Sequence, residues 1–414
     1  MLQNYLTSVQ EEFLKILNCF MHEKEYHFPD DFSGLMELYQ LASVHKVTAV
    51  VYEQIRQETI VLQKENEGLL KVLKKSTIMN VMLQAQREAG FLQLYKKLLE
   101  QGIKPVVVKG IICRNLYAKS DYRVSGDEDL LIRKEEFELC DKILLEEGMQ
   151  REEIDMNNLP CEIPYRHPKN GVYIELHFKL FSEESGAYGY LNQEFEKVFE
   201  TAIIEKIQDI KIWTLDPTLH MFYLICHSFK HFLHSGVGIR QVCDMVMMAD
   251  YYKEQIDWSY MYDRLKGLRL DGFWNGLVEI GKRYLGFIPN DVGYPEALLM
   301  YDLDCSNLLQ DLLDSGVFGQ STAERKHSAN VTLAAVKNGK KNVMASINAS
   351  LFPNFDYMKK GYPWLQRYPF LLPVAWGLRI LNYIKNSKKN GEKSSSLEIG
   401  MDRVELLKEY HIID

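Results

Sequence analysis

Apolar positions recur every three or four residues through the first 98 positions and again from Pro217 onward, while the stretch between them carries short continuous or alternating apolar runs. The first spacing places one stripe on a helix, and a period of two places one face on a strand. Phe32, Leu35, Leu38, Leu41 and Ala42, then Val51 and Ile55, keep the helical period. Residues 77–99 keep it too and stop at Glu100-Gln101-Gly102, where Gly102 fits the left-handed residue that ends a helix. The β-branched run Ile103-Lys104-Pro105-Val106-Val107-Val108 then predicts a buried strand, ended by Lys109-Gly110. Residues 111–118 resume a helical pattern. Gly126-Asp127-Glu128-Asp129-Leu130-Leu131-Ile132 predicts a second strand, 135–147 a helix closing at Gly148, and Val172-Tyr173-Ile174-Glu175-Leu176-His177-Phe178 a third strand with strict alternation. Helices return over 218–234 and 238–252 and continue to about 290. Residues 291–385 read as mostly helical, 386–396 as a Lys- and Ser-rich linker, and 404–410 as a short amphipathic segment. No internal repeat is present.

The length of 414 residues exceeds what one ordinary core holds, so several domains are expected. Hydrophobic content of 46% and charged content of 26% fit a soluble globular chain. The net charge of −8 argues against broad nucleic-acid binding, so any phosphate site must be a local cluster of Lys and Arg. The cysteines number seven, are scattered and include no C-x-x-C, which reads as reduced thiols in a cytoplasmic protein. The N-terminus lacks the basic-then-apolar order of a secretory signal, and no apolar run is long enough for a transmembrane segment.

The chemistry concentrates in the middle. On a strand, Asp127 and Asp129 point one way and Glu128 the other. Two carboxylates on one strand face suit Mg²⁺ or Mn²⁺, and Glu175 on the third strand adds another acid. Lys109-Gly110 before a helix lets the backbone approach a phosphate, with the lysine as a point charge. Arg123, Ser125 and Gly126 lead into the acids.

In order, Lys109-Gly110, Arg123, Gly126-Asp127-Glu128-Asp129-Leu130-Leu131-Ile132 and Glu175-Leu176-His177 resemble the bacterial uncharacterised nucleotidyltransferase family, within the DNA polymerase β-like superfamily. Leu41-Ala42-Ser43-Val44-His45-Lys46-Val47, His227-Ser228-Phe229-Lys230-His231 and Gly238-Ile239-Arg240-Gln241-Val242-Cys243-Asp244 extend the resemblance over roughly residues 35–285. It implies an α+β fold with a small mixed-sheet nucleotidyltransferase core over 99–204 and a helical domain over 205–290 closing the cleft, to which the apolar pattern adds a helical region over 1–98 and a mostly helical extension over 291–414. It also implies transfer of a nucleoside monophosphate from an NTP, ATP in the first instance, to an acceptor, with release of pyrophosphate. Asp127, Asp129 and Glu175 would hold the metal and serve catalysis. Lys109, Gly110, Arg123, Ser125, Gly126, Lys230 and Arg240 would meet the nucleotide. The acceptor, whether small molecule, peptide or protein, is not readable. Two departures stand out: the superfamily's Gly-Ser is Gly110-Ile111 here, and the third acid is Glu175 where Asp is commoner.

Other readings stay open at this level. The same fold could serve as a nucleotide sensor or a kinase-like phosphotransferase. Arg123 could pair with Asp121 or Asp127. His177 could orient Glu175, contact substrate or simply face solvent, and His227, His231 and His234 read as core or nucleotide-contacting histidines rather than a zinc site. Residues 370–384, followed by Lys385, Lys388 and Lys389, fit a buried C-terminal helix better than a helix lying on a membrane surface.

Overall fold

Strands β1 (Val106–Val108), β2 (Glu128–Leu131), β3 (Glu162–Arg166), β4 (Tyr173–His177), β5 (Ile203–Ile207) and β6 (Ile210–Thr214) form one sheet in the order β3-β4-β2-β1-β6-β5. It is mixed: β1 runs antiparallel to β2 but parallel to β6, and β2 runs parallel to β4. The fold is α+β. The computed structural model describes residues 6–156, 159–234, 236–300, 303–316, 332–333, 336, 355–379 and 396–413.

Helices α1 (Ser8–Met21), α2 (Leu35–Val44), α3 (Thr48–Ile55) and α4 (Glu67–Glu100) precede the sheet. Within it lie α5 (Gly110–Asn115), α6 (Phe137–Glu146) and α7 (Val198–Thr201). After it come α8 (Pro217–Leu233), α9 (Ile239–Tyr252), α10 (Trp258–Gly267), α11 (Asp271–Tyr284) and α12 (Ser306–Ser315). Local sequence sets several starts. Thr7 and Gln10 close a capping box at α1, and the Asp216 carboxylate accepts the Leu219 N–H at 3.0 Å ahead of Pro217 in the first turn of α8.

The sheet has a different core on each face. Val107, Leu130, Leu176 and Ile163 lie opposite one another in register and pack against Phe91, Tyr95 and Leu98 of α4 and Phe137, Cys140 and Leu144 of α6. The Tyr95 hydroxyl donates to the Pro105 carbonyl at 2.7 Å and accepts the Trp213 N–H at 2.9 Å, tying α4 to β1 and β6. Val106, Val108 and Leu131 point the other way, into a larger core with α1–α3 and α8–α12. Each fully buried Leu or Phe contributes roughly 1.5–3 kcal/mol, so both faces are firmly held. Asp129 pairs with Val108 and with Glu175, so the acids emerge on the second face, beneath the helices.

The strands predicted at 103–108, 126–132 and 172–178 form with shorter bounds, and Asp127 falls in the loop just before β2. Strands β3, β5 and β6 were not foreseen, and the sheet continues to Thr214. Residues 380–384 of the C-terminal segment and the expected linker up to 395 lie outside the described residues. Phe370, Val374 and Leu378 are exposed there, while Ala375 joins Met358 and Leu365 in a small separate core. The final helix, Ser396–Glu409, starts before the amphipathic segment expected at 404–410 and buries Val404 and Leu407 in the main core. All seven cysteines are free thiols.

Candidate functional site

The site begins at the end of β1. Lys109 adopts φ +56° without being glycine, and Gly110 follows at φ +38°. A Cβ on Gly110 would stand 2.0 Å from Glu128 Oε2, so this turn needs glycine. Glu128 does point away from its two neighbouring acids, but it is buried. Its Oε2 accepts the Ile111 N–H at 2.7 Å and its Oε1 accepts Arg114 Nη1 at 2.6 Å. The first turn of α5, expected to face an anionic ligand, is thus met by the protein's own carboxylate. Arg114, fully buried, also reaches Glu88 at 3.3 Å and the Ser125 hydroxyl, while the Ser125 N–H donates to Gln84 at 3.0 Å. Ser125 therefore anchors the loop before β2 to α4, and Gly126 beside it is exposed.

On the second face, ligand atoms of Asp129, Glu175 and His177 all lie within 4.8 Å of one another. Asp129 and Glu175 are register partners on parallel strands, and His177 is two residues beyond Glu175. His177 is buried, not solvent-facing, and its Nε2 lies 3.0 Å from Asp129 Oδ1 and 3.7 Å from Glu175. Lys109 Nζ is 2.8 Å from Asp129 Oδ2. Burial alone would raise the Asp129 pKa, but Lys109 and the His177 hydrogen bond hold it well below the carboxylate range. Burial and then the Asp129 and Asp127 charges push Glu175 up to about 7. Asp127, half-buried in the loop, is raised by burial and by Asp129. Burial works against the Lys109 ammonium, but Asp129, Asp127 and Glu175 outweigh it and raise its pKa.

The loop before β2 and helix α9 contribute two arginines and a further acid. Arg123 Nε donates to Asp244 Oδ1 at 3.0 Å, and its Nη2 pairs with Oδ2. The Tyr117 hydroxyl donates to the same Asp244 at 3.0 Å. Arg123 thus pairs with neither Asp121 nor Asp127. The sequence did contain Asp244, four residues after Arg240 on α9, but gave it no role. Arg240 Nη1 donates to the Val124 carbonyl at 2.6 Å, and burial, then Arg123, lower its pKa to about 10. A cavity of about 30 Å³ lies among Lys109, Arg123, Asp127, Ser228, Arg240 and Asp244. Lys230, half-buried on α8, does not line it. A larger cavity of about 450 Å³, bordered by Tyr26, Glu53, Arg56 and Lys119, shares no lining residue with the acid cluster.

The sequence profile of a family described as uncharacterised nucleotidyltransferase matches residues 34–285, more than half of the chain. The chain belongs to this family. Neither a curated protein nor a solved structure matches it. The matched segment contains the six strands of the described residues, the acids and the cations of α8 and α9, and it leaves out α1 and α12. Among the described residues no helix is long and apolar enough to cross a membrane.

The donor set fits a divalent cation. Asp129 Oδ2 is buried and, although Lys109 is close, receives no donor in hydrogen-bond geometry. Glu175 carries a like-charge penalty that a cation would relieve. Carboxylates favour hard ions such as magnesium or manganese, and His177 Nε2, placed to donate to Asp129 Oδ1, orients that acid for them.

Proposed function

We propose that this protein transfers a nucleoside monophosphate from an NTP, with ATP the first candidate, to an acceptor and releases pyrophosphate. The observation that carries the reading is the in-register pair Asp129 and Glu175 on parallel strands, with the Lys109 ammonium 2.8 Å from Asp129. Asp127, Asp129 and Glu175 would hold Mg²⁺ or Mn²⁺. That ion, when bound, would supply charge neutralisation at the reacting phosphorus and the departing pyrophosphate. Lys109 and Arg240 meet the triphosphate as fixed positive charges. Arg123, engaged by Asp244, adds its field and holds the loop in place. Asp129 or Glu175, as a carboxylate near the incoming oxygen, would take the proton of the acceptor hydroxyl. The burial of Lys109 and Asp129 keeps these charges out of bulk water, where they act more strongly.

The test is incubation with α-labelled NTPs, Mg²⁺ and cell extract, following labelled acceptor and pyrophosphate. Asp127→Asn combined with Asp129→Asn abolishes labelling while far-UV circular dichroism shows the fold retained, at a lower melting temperature because the buried Lys109 ammonium loses the Asp129 charge. Wild-type labelling by that double variant, or nucleoside diphosphate as the product, refutes the reading.

A further inference from the structure

Two histidines of α8 grip Lys109. The Lys109 main-chain N–H donates to His220 Nε2 at 3.2 Å, and Lys109 Nζ donates to His227 Nε2 at 2.8 Å. Seven residues apart on a helix, the two side chains sit on one face, two turns from each other. Both are buried, at 0% and 7% exposure. The point they hold is strained, because Lys109 takes φ +56°, ψ −128° with a full side chain.

The direction of each bond follows from donor chemistry. A lysine ammonium only donates, so His227 Nε2 must be bare and its proton must sit on Nδ1. His231 Nε2 lies 3.1 Å from that same atom, whose single lone pair faces the nearer Lys109 ammonium. His220 Nε2 is bare for the same reason. Its Nδ1–H faces Thr214 Oγ1 at 3.4 Å, and the Thr214 hydroxyl donates to the Val107 carbonyl at 2.7 Å. One N–H of the Lys109 ammonium is directed to His227, and Asp129 Oδ2 lies 2.8 Å from Nζ as an ion-pair partner outside hydrogen-bond alignment, which leaves an N–H for a ligand oxygen. Without an acceptor at position 227, only the carboxylates of Asp129, Asp127 and Glu175 would attract the ammonium, and it would settle among them.

We infer that His227 is a positioning residue: its bare Nε2 shares the Lys109 ammonium with Asp129 and keeps one N–H aimed at substrate phosphate, while His220 fixes the strained backbone beneath it. This rests on the phosphate-binding role proposed above for Lys109. The test has two arms. In protein labelled with ¹⁵N-histidine, with the His227 signals assigned by their loss in His227→Gln, NMR shows the Nδ1–H tautomer. An Nε2–H tautomer at His227 overturns the inference, since Lys109 could not donate to it. In the second arm, calorimetry measures binding of magnesium tripolyphosphate, which carries no base or sugar. His227→Leu binds about 10- to 100-fold more weakly, the value of a hydrogen bond to a charged group. His227→Gln, whose amide oxygen can accept from Lys109, keeps wild-type affinity, which a purely space-filling role for the imidazole does not predict. Equal binding by wild type and His227→Leu overturns the positioning role. If wild type itself fails to bind tripolyphosphate, the nucleotidyl-transfer reading is what fails, and the tautomer arm still decides the geometry. It decides also if His227→Leu does not fold.

Discussion

Removing the Glu128 carboxylate separates the roles of three adjacent acids. In Glu128→Ala the fully buried Arg114 keeps only Glu88, at 3.3 Å, as a carboxylate partner. The Ile111 N–H, which Glu128 accepts at 2.7 Å, loses its acceptor. Breaking a buried ion pair from one side costs about 3–5 kcal/mol, and orphaning a buried N–H costs about 1–3 kcal/mol. The two losses share one carboxylate and do not add. Burial raises the Glu128 pKa against the pull of Arg114, so the pair carries a desolvation cost that offsets part of its attraction. The expected loss is therefore about 3 kcal/mol, at the low end of that range.

The assay is urea unfolding, comparing midpoints at constant slope, with hydrogen exchange at the Ile111 amide as the local readout. Asp127→Asn is the control, because Asp127 lies half-buried in the loop and is repelled by Asp129, so its unfolding midpoint stays at or slightly above wild type. Replacing both partners, as Arg114→Met with Glu128→Leu, recovers part of the loss, since apolar pairs often replace buried ion pairs at little cost. Stability of Glu128→Ala within about 1 kcal/mol of wild type, the scale of an ordinary substitution, would falsify the assignment of Glu128 as the structural acid.

Two predictions concern pH. Burial lowers His45 from 6.5 to about 4 and His220 from 6.5 to about 3. Both are neutral when folded and protonate first in the unfolded chain, so their contribution is full above 6.5 and is lost as pH falls towards 4 and 3. At pH 5 each costs about 2 kcal/mol relative to pH 8, and His45→Gln with His220→Gln flattens the acid limb of the melting curve; an unchanged limb refutes this. Glu175 behaves in the opposite sense: raised from 4.5 to about 7, it weighs against folding increasingly as pH rises through that window. Glu175→Gln accordingly melts higher than wild type at pH 8, matches it at pH 4, and binds Mn²⁺ more weakly by paramagnetic titration; a lower melting temperature at pH 8 sinks the like-charge argument.

Much of the sheet was legible where period and turn chemistry agreed. Val106-Val107-Val108 and the alternating Tyr173–His177 run became β1 and β4 because each met a core on the face its period assigned. Strand β3 alternates as well, but Pro164 within it reads as a break, and only its place at the sheet edge makes proline tolerable. The hairpin of β5 and β6 turns at Gln208-Asp209 with Gln208 at φ +52°, so the usual Asn-Gly or Gly signal is missing.

The site divides along the same line. A period of two tells which way a side chain points, and it separated Glu128 from Asp129 correctly. It does not tell what waits there. Opposite Glu128 lies Arg114, and opposite Asp129 lies Lys109, itself held by His227 of α8, 118 residues from that lysine in sequence. Arg123 met Asp244 across 121 residues in the same way. Each of these partners was visible as a residue but not as a neighbour, because charge compensation in a buried cluster is a property of the closed fold. The acids alone would repel one another and resist burial. Lys109 and His177 offset that repulsion at Asp129 and hold its pKa down, while Lys109, Arg240 and Arg123 temper but do not reverse the rise at Asp127, which is how the two acids can sit beneath a helical layer.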